Sequence, residues 1–85
     1  MAVDERKRRQ NERKYEGWED LSEGGRRYWY DVVGRSSWRA RYVKEVDAEE
    51  NTLRFFQEIY AEDGELVEIH DKYPQDRGHQ SVQED

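Results

Sequence analysis

Between Arg26 and Tyr73, apolar and polar residues alternate in four runs separated by polar or glycine-containing stretches. Successive side chains of a strand leave opposite sides of the chain, so alternation marks a strand with two unlike faces. The runs lie near 26–33, 37–46, 52–61 and 65–73 and are rich in aromatic and β-branched residues, which suit a pleated sheet. Gly34-Arg35-Ser36, Asp47–Asn51 and Asp63-Gly64 read as the intervening turns. Asp63-Gly64 is the sharpest signal, because glycine accepts the positive φ of a two-residue hairpin. Pro74 cannot donate to a ladder and stops the last run. The pattern predicts a mainly β protein: a four-stranded antiparallel meander, curled or partly barrel-like.

Turn lengths set the expected pairing. A two-residue turn at Asp63-Gly64 puts Phe56 opposite Asp71, Gln57 opposite His70 and Ile59 opposite Glu68. Val46 opposite Thr52 puts Tyr42 opposite Phe56 and Trp38 opposite Tyr60, but also Lys44 opposite Arg54. A loop at 34–36 puts Tyr28 opposite Tyr42 and Asp31 opposite Arg39. One face then gathers Tyr28, Tyr30, Tyr42, Phe56, Tyr60 and Ile69 as the core. The other mixes Trp29, Phe55 and Ile59 with Arg39, Arg41, Glu68 and His70. A slip by one residue would invert every side chain of the displaced strand. An open sheet cannot bury a face alone. The cover is expected from Trp18–Leu21, from curling, or from a second copy.

The flanks change this picture little. Residues 1–16 are helix formers and charges, with Asp4 as a cap and only Val3 and Tyr15 as large apolar residues. No helical face could anchor them, so a frayed helix or flexible arm is expected. The organisation expected is an arm and connector over 1–25, a sheet domain over 26–74 and a disordered polar tail over 75–85.

Composition leans two ways. Charged residues make up 42% and hydrophobic ones 33%, a balance that favours disorder, whereas 13% aromatic residues can support a small core. The net charge of −6 opposes nonspecific nucleic-acid binding. The arm is the exception: it carries Arg6, Lys7, Arg8, Arg9, Arg13 and Lys14, and its basic cluster could touch the phosphates of a nucleic acid. The chain has no cysteine, which excludes disulfides and thiolate metal sites. No apolar run suits a membrane span or a signal peptide, so a cytoplasmic protein without membrane contact is expected.

Two sets of residues invite a functional reading. On the expected mixed face, His70 or Glu68 could take a 2′-hydroxyl proton while Arg39 and Arg41 hold phosphate and Trp29 stacks a base. That would make a small ribonuclease. A half-exposed strand face carries such residues in any case, so the leading expectation is a non-enzymatic binding module. Its patch would be Trp29, Arg41, Phe55 and His70, since Trp and Arg are enriched at binding hot spots. The partner would be another protein or a second copy. His70 and His79 with Asp71 and Asp76 match no metal spacing, and Gly24-Gly25 and Gly34 are turn glycines, so neither metal nor cofactor is expected.

Two stretches carry a resemblance. Trp38-Arg39-Ala40-Arg41-Tyr42-Val43-Lys44-Glu45-Val46-Asp47 and Leu66-Val67-Glu68-Ile69-His70-Asp71-Lys72-Tyr73-Pro74 resemble segments of short uncharacterised prokaryotic proteins. The resemblance implies a prokaryotic domain of unknown function and brings no activity, cofactor or site residue with it.

Overall fold

A computed structural model describes residues 3–82. A helix, α1 (Glu5–Lys14), precedes β1 (Gly17–Asp20), β2 (Arg26–Val33), β3 (Arg39–Val46), β4 (Thr52–Tyr60), β5 (Leu66–Tyr73) and β6 (Gly78–Ser81). The strands form one 6-stranded antiparallel sheet in chain order. It is an open meander with β1 and β6 at its edges, not a closed barrel. The four central strands follow the alternation. The two edge strands arise from the connector and from the segment expected to be a loose tail: Trp18 pairs with Tyr28, and His79 with His70. At 4 residues each, they are too short for their alternation to stand out in the sequence.

The register departs from the expectation in an instructive way. β4 and β5 pair as foreseen over Phe56–Asp71, Gln57–His70, Glu58–Ile69 and Ile59–Glu68. Their turn is longer, however. Ala61 N–H donates to Glu65 O, Gly64 N–H donates to Ala61 O (2.9 Å each), and Gly64 takes φ +86°. This is the three-residue hairpin form with glycine in the left-handed position. β2 and β3 are offset by two residues from the expected pairing, with Asp31 opposite Arg41 and Tyr30 opposite Tyr42. The faces are unchanged by an even shift.

Between β3 and β4 the shift is odd. Val46 opposes Thr52 as expected, but Glu45 opposes Arg54 and Leu53 is left over as a bulge. From there Val43 opposes Phe56, and Tyr42 opposes Gln57. Tyr42 and Phe56 therefore project from opposite faces. The slip removes the Lys44–Arg54 opposition and sets Glu45 against Arg54 instead.

One face carries Tyr28, Tyr30, Tyr42, Phe55, Gln57 and His70, and α1 lies across it. Tyr15, Tyr28 and Val46 form its buried cluster, with Tyr30 packed alongside. The opposite face carries Trp29, Val43, Phe56 and Ile69 in a row, with arginines laid over the rings. The Arg54 guanidinium sits 4.0 Å from the Phe56 ring, Arg39 4.8 Å from Tyr60 and Arg41 5.7 Å from Trp29. Arginine stems cover apolar surface while their heads stay wet. Val43 and Phe56 are thus 2% and 7% exposed with no second layer above them. The chain itself thus covers part of both faces, with α1 on one and arginine side chains on the other. Gly17 serves this side too: a Cβ there would lie 2.7 Å from the Trp29 ring.

Candidate ligand-binding cleft

α1 has no apolar stripe, yet it is fixed to the sheet. Asp4 caps it by accepting from Lys7 N–H (3.1 Å), and its acidic first turn and basic last turn suit the helix dipole. Positions 8, 11, 12 and 15 meet the sheet through polar groups and one ring. The anchor is Glu50 in the β3–β4 turn. Its carboxylate is buried and accepts from Arg8 Nε (3.1 Å), Asn11 Nδ2 (3.0 Å) and the Tyr28 hydroxyl (2.7 Å). Glu12 accepts from Arg26 Nη1 (2.9 Å). The Tyr15 ring rests against Tyr28 and Tyr30, at 5.5 and 5.4 Å between centroids. A buried carboxylate is tolerated only with such complete pairing. Here it joins two elements far apart in the chain.

Beside this anchor a cleft of about 640 Å³ opens between α1, β3, β4 and the end of β5. Lys7, Lys14 and Lys44 line it, with Tyr15, Phe55 and Tyr73 as its aromatic parts. Lys44 Nζ donates to Asn11 Oδ1 (3.0 Å), and Lys7 Nζ lies 3.5 Å from Asn51 Oδ1. None of these lysines is ion-paired among the described residues, and the Glu50 carboxylate beside them is already matched by Arg8. Burial, with Lys14 and Lys7 nearby, holds the Lys44 ammonium below the usual lysine range despite the opposing pull of Glu50. The cleft therefore has a net positive lining in a chain of net charge −6.

The aromatic residues stand in a row that ends here. Tyr30 stacks on Tyr42 (5.0 Å, 17° between planes), and Tyr42 stacks on Phe55 (6.2 Å, 20°). Rings stacked on their neighbours turn their faces along the sheet, not out to solvent. The row is therefore no open platform for a run of bases. Among the described residues the stack ends at Phe55, which lines the cleft.

The residues singled out from the sequence are dispersed. Arg39 and Arg41 lie on the arginine face, where Arg41 grips Asp31 through two hydrogen bonds (2.8 and 3.0 Å). That grip holds the Asp31 carboxyl below its usual range. His70 and Glu68 lie on the helix face. The odd register separates them from the arginines, so the set expected to cleave RNA never shares a surface. His70 Nε2 lies 2.6 Å from Asp76 Oδ1, His79 Nδ1 lies 3.3 Å from Glu68 Oε1, and the two imidazoles are 4.4 Å apart. These contacts fasten β6 to β5. Among the described residues no group of three or more histidines and carboxylates could hold a metal. The expected binding patch is split likewise: Trp29 and Arg41 share the arginine face, Phe55 lines the cleft, and His70 stands at the β6 edge.

A second concavity, about 440 Å³, lies on the arginine face around Trp29, Arg41, Arg54 and Phe56. Its cations are already paired: Arg27 with Glu19 and Glu45, Arg41 with Asp31, Arg54 with Asp71. Of the residues that line the lysine cleft, Phe55 belongs to the expected binding patch and Lys7 and Lys14 to the basic arm, whereas Lys44 and Glu50 carry no functional expectation from the sequence. The available signal was Lys7, Gln10, Asn11 and Lys14, spaced as one stripe of a helix. Nothing in the sequence points to Glu50.

No helix among the described residues is long and apolar enough to cross a membrane. No family model, curated protein or solved structure matches the chain.

Proposed function

We propose that the protein is a non-enzymatic binding module whose binding site is the lysine cleft, and that it takes an anion there. The observation that carries this reading is the convergence of Lys7, Lys14 and Lys44 on one concavity, where none of them forms an ion pair among the described residues and the one carboxylate of the lining, Glu50, is bound by Arg8. Like charges held together raise the energy of the unliganded state, and an anion relieves it. The cleft falls within the size range of small-molecule sites and joins apolar walls to a few polar groups. The separation of His70 and Glu68 from Arg39 and Arg41 removes the catalytic set that favoured an enzyme.

Calorimetric titration with inorganic phosphate and with ribose 5-phosphate at low salt tests the reading. Binding is expected, and it should weaken as salt screens the lysines. Lys14→Gln, which leaves the Glu50 hydrogen bonds intact and removes one ammonium 5.6 Å from the Tyr15 ring, should weaken it by roughly tenfold. Heat-free titrations with both anions at millimolar concentration would refute the reading.

A further inference from the structure

Resting on that reading, we infer that the cleft takes a nucleoside monophosphate, with its phosphate among the lysines and its base stacked on Phe55. Two independent features of the cleft divide the ligand into a charged part and a flat part. The charged part must suit Lys44, Lys7 and Lys14. A phosphate monoester is a compact anion with several acceptor oxygens, and lysine binds phosphate as a point charge without a fixed planar geometry. Lys44 is the innermost of the three. Asn11 Oδ1 takes one of its protons, and the other two stay free to donate.

The flat part follows from the aromatic row. Tyr30, Tyr42 and Phe55 stack across β2, β3 and β4 with nearly parallel planes. The next place in that row lies over β5, where the opposing residue is Tyr73. Tyr73 does not continue the stack; it is half exposed at the mouth of the cleft. A planar ring entering beside Phe55 would become the fourth member of the row, and every base offers such a π-face. Gln10, Asn51 and Thr52 supply the uncharged polar groups around this place that a ribose or base edge can use. An acidic peptide would satisfy the lysines but not the end of the stack. A polyanion with no ring would leave Phe55 unused.

The test is calorimetric titration of the full chain with AMP, ribose 5-phosphate and a 5′-phosphorylated oligonucleotide. AMP is expected to bind about tenfold more tightly than ribose 5-phosphate, the difference being one stacked base. Phe55→Leu should erase that difference, lowering AMP affinity to that of ribose 5-phosphate for the same variant. Lys14→Gln should weaken both ligands together. Circular dichroism of each variant checks that the sheet persists. Equal affinity for AMP and ribose 5-phosphate would overturn the inference and leave the anion site standing. Absence of binding by either would overturn both. If AMP carries the preference, an oligonucleotide binding as tightly assigns the same phosphate-and-base chemistry to a strand end, and one binding more weakly assigns it to the free nucleotide.

Discussion

Glu50 sits at φ 69°, in the left-handed region that a glycine adopts with less strain. The Asp47–Asn51 turn is built like the Ala61–Glu65 turn: Asp47 N–H donates to Asn51 O, and Glu50 N–H donates to Asp47 O. Gly64 fills the equivalent place in the other turn. A glutamate there persists because its carboxylate fastens α1 to the sheet through Arg8, Asn11 and Tyr28. Glu50→Gly should relieve the backbone, yet it strands three donors beneath the helix. We expect Glu50→Gly and Glu50→Gln each to lower stability, by about 3 kcal/mol for the broken buried ion pair. Tyr28→Phe should cost about 1–3 kcal/mol for one lost donor to a charged acceptor. Urea unfolding measures all three. Stability of Glu50→Gly at or above that of the parent chain would mean that the carboxylate anchors nothing.

At the scale of elements, the decisive residue is Leu53. It is 55% exposed and contributes little burial, but as the bulge it sets which side of β4 faces α1. Leu53→Ser should change stability by no more than about 0.5 kcal/mol, as for other surface substitutions. Deleting Leu53 should be far more harmful, because β4 must then invert its faces or lose its pairing with β3. Thermal unfolding of the two variants checks this; similar midpoints would show that the bulge does not set the register. The same residue explains what the sequence made legible. Alternation marked the central strands, since each is long enough to repeat the pattern. It could not reveal a one-residue bulge, which leaves the local alternation intact and changes only the partner. Alternation alone therefore matches Tyr42 with Phe56 across one face and sets His70 beside Arg41. The docking of the helix is hidden for another reason: its docking stripe is polar, and polarity at Arg8 and Asn11 reads as solvation unless the buried carboxylate opposite is known.

For the whole molecule, a sheet with few aliphatic residues is covered on one side by a polar helix and on the other by its own arginines. The two covers differ in what they leave open. On the arginine face each cation finds a carboxylate or a ring, and the surface is self-satisfied. On the helix face the docking of α1 consumes Arg8 and Glu50 and leaves Lys7, Lys14 and Lys44 around the end of the aromatic row. The cleft exists only if α1 is docked, so helix docking is the claim on which the binding proposal stands. A nuclear Overhauser spectrum of the labelled full chain measures it most directly. A docked helix gives cross-peaks from the Tyr15 ring to the Tyr28 and Tyr30 rings and from the Asn11 side-chain amide to Lys44, together with helical shifts over 5–14. Random-coil shifts over 5–14 with no cross-peak between α1 and the sheet would contradict it.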